Sequence, residues 1–135
     1  QLGDYHTMME EGVNSLPAEA SVVMLWETRS YLCDVTCHPD PILGRFLHLT
    51  QHKQHGAADI RSEWEAEGIS HVLLSDQGLN FLLNMDETGL VGETGMAMSA
   101  TIRPEDIAVL DALRDNELLL VQRWGESYSL YEWRQ

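Results

Sequence analysis

The stretch Ser21-Val-Val-Met-Leu-Trp-Glu-Thr-Arg-Ser-Tyr-Leu-Cys33 decides the reading of this chain. Val22 to Trp26 is an unbroken apolar run that turns polar at Glu27. A short apolar run with polar boundaries predicts a strand buried on both faces. Such strands sit inside α/β sheets, and the loops leaving their carboxyl ends are where those folds hold ligands. Here that loop contains Glu27, Arg29, Tyr31 and Cys33, with Cys37 just beyond.

Outward from this strand, the pattern predicts one α/β domain over residues 1–135. Upstream, Tyr5, Met8, Met9, Val13 and Leu16 recur at spacings of three and four, which predicts a leading helix ending before Pro17. Downstream, Asp40 and Pro41 suit the N-cap and first position of a helix whose apolar face is Ile42, Leu43, Phe46, Leu47 and Leu49. A second helix spans Ala57 to Glu67, with Ile60 and Trp64 facing inward and Gly68 just past its end. Ile69 to Ser75 predicts the next strand. Strand, helices and strand make a βαβ unit, so the two strands should be parallel.

Asp76 would cap a short helix from Gln77 to Asn84. Residues 84–100 carry Gly89, Gly92 and Gly95 without periodicity and are read as a loop excursion. Helical pattern returns at Pro104, with Ile107, Leu110 and Leu113 inward. Leu118 to Val121 and Tyr128 to Trp133 predict two strands joined as an antiparallel hairpin. The expected architecture is a central, mostly parallel sheet of about four strands, flanked by helices and finished by that hairpin.

The totals narrow the function. The chain has 135 residues and is 44% hydrophobic, which fits one core. Its formal charge is −14, from 22 acidic and 8 basic side chains. Nucleic-acid binding needs clustered Lys and Arg, so this balance excludes a nucleic-acid partner and disfavours anionic lipid. The chain starts at Gln1, without an initiator Met or signal-peptide pattern, and is read as a mature or excised piece of something longer.

Four constellations could carry chemistry. Glu27 and Arg29 leave the first strand on one side and Asp76 leaves the second. With parallel neighbours, all three would gather at the carboxyl edge of the sheet, where Tyr31 could add a stacking face. The competing use is an ion pair and a cap that finish the strand ends. His48, His52 and His55 share one helix face, but that face lies opposite Phe46 and Ile42 and so points to solvent. Cys33 and Cys37 could form a disulfide, half a metal site or two free thiols, with His38 and Asp40 beside them. The Gly89–Gly95 run lacks the Lys-Ser/Thr of a phosphate loop. Nothing here calls for a metal or cofactor, and no nucleophile–base motif is present.

Several runs together resemble a known family. Asn14-Ser-Leu-Pro-Ala-Glu-Ala-Ser-Val22 resembles its N-x-L-P-x-x-A-x-V junction, and Trp26-Glu-Thr-Arg-Ser-Tyr-Leu-Cys33 its W-E-x-R-S-Y-x-C run. Cys37-His-Pro-Asp40, Gly68-Ile-Ser-His-Val-Leu-Leu74 and Tyr128-Ser-Leu-Tyr131 resemble further segments. The family is the bacterial phospholipid-carrier-dependent membrane glycosyltransferases, like the dolichyl-phosphate-mannose–protein mannosyltransferases. In these, a polytopic membrane region precedes an extracytoplasmic soluble domain.

The resemblance implies a non-catalytic accessory domain, because the family's acidic catalytic residues sit in the membrane region. It implies that region of the same parent chain as a partner, and a glycan or lipid-linked sugar as a ligand. It also implies the extracytoplasmic face of a bacterial membrane, which favours a Cys33–Cys37 disulfide. The alternative is a stand-alone extracytoplasmic ligand-binding or interaction module using the edge near Glu27, Arg29 and Asp76.

Overall fold

The computed structural model describes residues 2–25, 32–40, 44–76 and 103–135. Helix α1 (Leu2–Glu11) and a 3-10 turn (Val13–Ser15) lead into β1 (Ser21–Leu25) and β2 (Thr36–Asp40). Helix α2 (Gly44–Leu47) runs into a π-helical turn (His48–His52), then α3 (Ala57–Ala66) and β3 (His71–Ser75). Helix α4 (Pro104–Ala112), a second π-helical turn (Leu113–Glu117), β4 (Leu118–Trp124) and β5 (Tyr128–Trp133) complete the chain.

The strands form one five-stranded sheet in the order β2-β1-β3-β5-β4. β1 pairs in parallel with β2 on one side and β3 on the other. β5 is antiparallel to both β3 and β4. The parallel β1–β3 pair and the C-terminal hairpin follow the sequence expectation. The fifth strand, β2, does not: the sequence pattern predicts loop and cap over Cys37 to Asp40. Polar residues and Pro39 hide this strand, and an edge position tolerates both. The first helix also ends at Glu11, short of the expected Leu16. The expected helix over 77–84 and the 84–100 excursion lie outside the described residues.

Side chains alternate across the sheet and build two cores. Val23, Leu25, Val72 and Leu74 pack under Phe46, Leu47 and Leu49, under Ile60 and Trp64 of α3, and under Leu110 and Leu113. Val22, Met24, Leu73 and Leu130 pack on the other face under Tyr5, Met8 and Met9 of α1 and Val13. Val22, Val23 and Met24 are completely buried, which explains the unbroken apolar run of β1. Each such side chain contributes about 1.5–3 kcal/mol of burial.

Local chemistry sets the element ends. Gly68 adopts φ +86°, the left-handed conformation that ends α3 and turns the chain into β3. Asp40 acts as a cap, but from the end of β2. Its carboxylate accepts the N–H groups of Arg45 (2.9 Å) and Phe46 (3.1 Å) at the start of α2. Asp106 accepts its own helix's Arg103 N–H at 2.9 Å and the Gln51 side chain at 2.7 Å, tying α4 to the π-turn after α2.

Strand β4 serves both cores through a bulge at Val121. The register passes from Leu120 opposite Tyr131 to Gln122 opposite Leu130. The extra residue reverses the side-chain parity. Leu118 therefore points to the α3 side, and Trp124 to the α1 side. The Trp124 ring lies flush against Gly12. A Cβ there would collide with ring carbons Cη2 and Cζ2 and stand 2.8 Å from the Met8 carbonyl oxygen. Gly12→Ala is expected to destabilise the domain by about 1–3 kcal/mol through overpacking, read as a lower urea midpoint. An unchanged midpoint would mean the α1–β4 contact is loose.

Candidate functional site

The parallel register brings the carboxyl ends of β1, β2 and β3 to one edge. Leu25 stands between Asp40 and Leu74 there. Residues 26, 41 and 77 begin the segments that follow these strands, so the chain leaves all three parallel strands at this edge. Glu27, Arg29 and Tyr31 lie outside the described residues. Asp76 is described, and it stands at the end of β3.

The hairpin holds Asp76 in place. Its backbone N–H donates to the Ser127 carbonyl at 2.8 Å. Ser129 Oγ donates to Asp76 Oδ2 at 2.6 Å, and the Arg123 guanidinium stands 3.8 Å from the same oxygen. The Asp76 side chain is 12% exposed and that of Arg123 52%. Sequence reading missed Ser129 and Arg123 because their approach depends on β5 pairing with β3. One signal was present: Ser129 is a small polar residue between Tyr128 and Leu130 in the apolar first half of β5. The trio offers a fixed carboxylate beside an exposed cation, and so can exchange hydrogen bonds with hydroxyl or amide groups of a polar ligand. It is not a nucleophile–base pair.

The amino edge carries two Ser–His pairs. Ser21 Oγ lies 2.9 Å from His38 Nε2, and Ser70 Oγ lies 2.8 Å from His71 Nδ1. Ser70 Oγ also accepts the Ser21 N–H at 3.0 Å, linking β1 to the start of β3. Burial, and then Arg45, push the His38 pKa down, against the pull of Glu67. Burial pushes His71 down, against Glu132. Neutral imidazoles here serve as hydrogen-bond partners: His38 joins β2 to Ser21 of β1, and His71 bonds its chain neighbour Ser70.

The other candidates resolve into packing and surface. His48 and His52 are exposed, with rings stacked 5.2 Å apart. His55 Nε2 meets Glu63 at 3.1 Å, and Lys53 meets the same carboxylate at 3.2 Å. Among the described residues, no three His, Cys, Asp or Glu side chains are placed to hold a metal ion. Cys33 and Cys37 form a disulfide, with Cα atoms 6.4 Å apart. It ties the chain entering β2 to the strand itself, and it packs on the α1 side. Trp64 and Trp133 are buried at 6.5 Å from each other, and the Trp133 indole donates to the Ile69 carbonyl at 2.8 Å.

The fold is similar to the crystal structure of the C-terminal globular domain of an oligosaccharyltransferase from Archaeoglobus fulgidus. The TM-score is 0.54 at 12% identity, over 97% of each chain. At that identity the likeness is one of fold. No protein-family model matches the sequence, and no curated protein does. No helix among the described residues is long and apolar enough to cross a membrane.

Among the described residues, His38, His71 and Asp106 couple stability to pH. His38 and His71 have folded pKa values below the ordinary 6.5. Their contribution is full above pH 6.5 and is lost as the pH falls from there through the folded values. Asp106, held down to about 2 from 3.8 by the hydrogen bonds of Arg103 and Gln51 against burial, loses its contribution at lower pH still. The acidic surface relaxes as it protonates and pulls the other way. The measurement is therefore the difference in melting temperature between the native chain and a His38→Gln/His71→Gln variant. The native advantage is expected to shrink between pH 7.5 and 5. A constant difference would contradict the assignment.

Proposed function

We propose that this chain is the extracytoplasmic accessory domain of a membrane glycosyltransferase that transfers a sugar from a lipid-linked donor. The observation that carries this reading is the fold likeness to an oligosaccharyltransferase C-terminal domain, which extends over 97% of both chains. Two independent features support it. The runs Trp26–Cys33, Cys37–Asp40 and Gly68–Leu74 resemble the soluble domain of bacterial lipid-carrier-dependent glycosyltransferases. The Cys33–Cys37 disulfide fits an oxidising compartment.

In this reading the membrane region of the parent chain holds the catalytic acids. The domain turns its carboxyl edge, with Asp76, Ser129 and Arg123, toward that region. There it caps the reaction site or helps position the acceptor. A carboxylate fixed by a serine and flanked by an arginine suits sugar hydroxyls or an acceptor amide, because each offers both donors and acceptors.

The test is sugar transfer by the parent enzyme in membranes, with and without this domain. Deletion is expected to cut acceptor turnover at least about tenfold, a loss of about 1.4 kcal/mol of transition-state stabilisation. Unchanged rate, acceptor preference and membrane level would contradict the proposal. So would a parent gene that encodes no hydrophobic spans upstream of Gln1.

A further inference from the structure

The Asp76 trio lies at one end of a strip that continues across the C-terminal hairpin. Tyr128 and Leu130 turn to the α1-side core, so Ser129 and Tyr131 project from the opposite face of β5. Arg123 stands opposite Ser129 and Leu120 opposite Tyr131, and directly paired side chains share a face. The bulge at Val121 makes this possible, because it absorbs the extra residue between Leu120 and Arg123. Arg114 reaches the same face from the π-helical turn after α4. Its guanidinium donates to Asp111 Oδ1 at 2.7 Å, and the Tyr131 hydroxyl stands beside it. The strip therefore holds Asp76, Ser129 and Arg123 in one row, and Leu120, Tyr131 and Arg114 in the next, about 7 Å away.

Leu120 is 47% exposed and supplies an apolar floor beside Tyr131, which is partly buried against the core. Arg114 and Asp111 are 30% and 53% exposed, so the second row is open to solvent like the first. Each guanidinium in the strip already faces a carboxylate, Arg114 that of Asp111 and Arg123 that of Asp76. The two pairs cancel in charge, within a chain whose formal charge is −14. The strip therefore has no spare cation for a phosphate, which binds where guanidinium or ammonium groups are free to meet it. It suits a ligand with apolar faces and a rim of hydroxyls. The faces lie on Leu120 and Tyr131, and each hydroxyl can donate to a carboxylate and accept from a guanidinium.

We propose that this strip binds an uncharged glycan carried by the acceptor, an inference that rests on the glycosyltransferase reading for its choice of partner. A lipid-linked donor is not the occupant, because it brings a phosphate beside its sugar. A bare peptide is not the occupant either. An extended peptide is held mainly through backbone hydrogen bonds at a strand edge, whereas the polar groups of this strip are side chains on a sheet face. The span from Asp76 to Arg114 suits an oligosaccharide better than a single sugar. The surface is open, so the affinity is in the range of about 1–10 mM.

The test is a titration of the 135-residue chain followed by amide NMR. Mannotriose and triacetylchitotriose supply uncharged glycans. A mannosyl phosphate stands for the donor head group, and a peptide rich in serine and threonine for a bare acceptor. At least one trisaccharide is expected to shift the amides of Leu120, Arg123, Ser129 and Tyr131 and to saturate in the low millimolar range. Arg123→Gln and Leu120→Ser, both at exposed positions, are each expected to weaken that binding at least about fivefold, a loss of about 1 kcal/mol. Lys53→Gln, outside the strip, is expected to leave it unchanged. Circular dichroism confirms that the variants are folded. The proposal is overturned if neither trisaccharide shifts these amides, if the mannosyl phosphate or the peptide binds them more tightly, or if binding is indifferent to both strip variants. Domain-dependent sugar transfer by the parent enzyme without trisaccharide binding overturns this inference alone. Trisaccharide binding without domain-dependent transfer overturns the glycosyltransferase reading and leaves the strip a glycan site.

Discussion

The structure depends on β1 being paired in parallel on both sides and buried on both faces. Parallel partners cannot be joined by a tight turn, because the chain must return to the same end before it can pair again. That requirement places the connection after β1, the helices α2 and α3 after β2, and residues 76 onward after β3 on a common plan: each leaves from the carboxyl edge. It also requires cover on both faces. The α1 layer supplies one face and the α2, α3 and α4 layer the other. The apolar run from Val22 to Leu25 is the sequence imprint of that double burial.

The return from β1 to β2 is short, spanning residues 26–35. The Cys33–Cys37 disulfide fastens its end to the edge strand, and Asn14 holds it from below. The Asn14 side chain donates to the Leu32 carbonyl at 2.9 Å and accepts the Asp34 N–H at 2.7 Å. A bond closing so small a loop removes little chain entropy from the unfolded state. Its contribution is positional: it keeps Thr36 to Asp40 alongside β1, so that Asp40 can receive the first turn of α2.

Much of the fold was legible because its determinants are local. Val22–Leu25 and Val72–Leu74 announce buried strands, Gly68 announces the end of α3, and the Tyr128–Trp133 alternation announces the hairpin. What stayed hidden depends on pairing. Thr36-Cys-His-Pro-Asp40 has no strand pattern of its own and becomes β2 only because β1 offers it a ladder. The reversal of β4 at Val121 depends on register, which composition does not carry. The same holds at the candidate site. Asp76 was identifiable as a polar group at a strand end, but Ser129 and Arg123 reach it only through the antiparallel β3–β5 pair. Asp40 was recognised as a cap, yet its position on a strand was not, since a capping carboxylate reads the same from either place. Glu27, Arg29 and Tyr31 belong to the return after β1 and lie outside the described residues.

Residue-resolved amide hydrogen exchange tests the central physical claim most directly. If the doubly buried parallel pair is the foundation of the domain, the amides of Val23 to Leu25 and Val72 to Leu74 exchange last. They do so at the rate of global unfolding, whereas amides of the outer strand β4 exchange earlier by partial opening. Slowest exchange in the β4–β5 hairpin, with β1 opening first, would contradict the account. The sheet would then be organised from its antiparallel end.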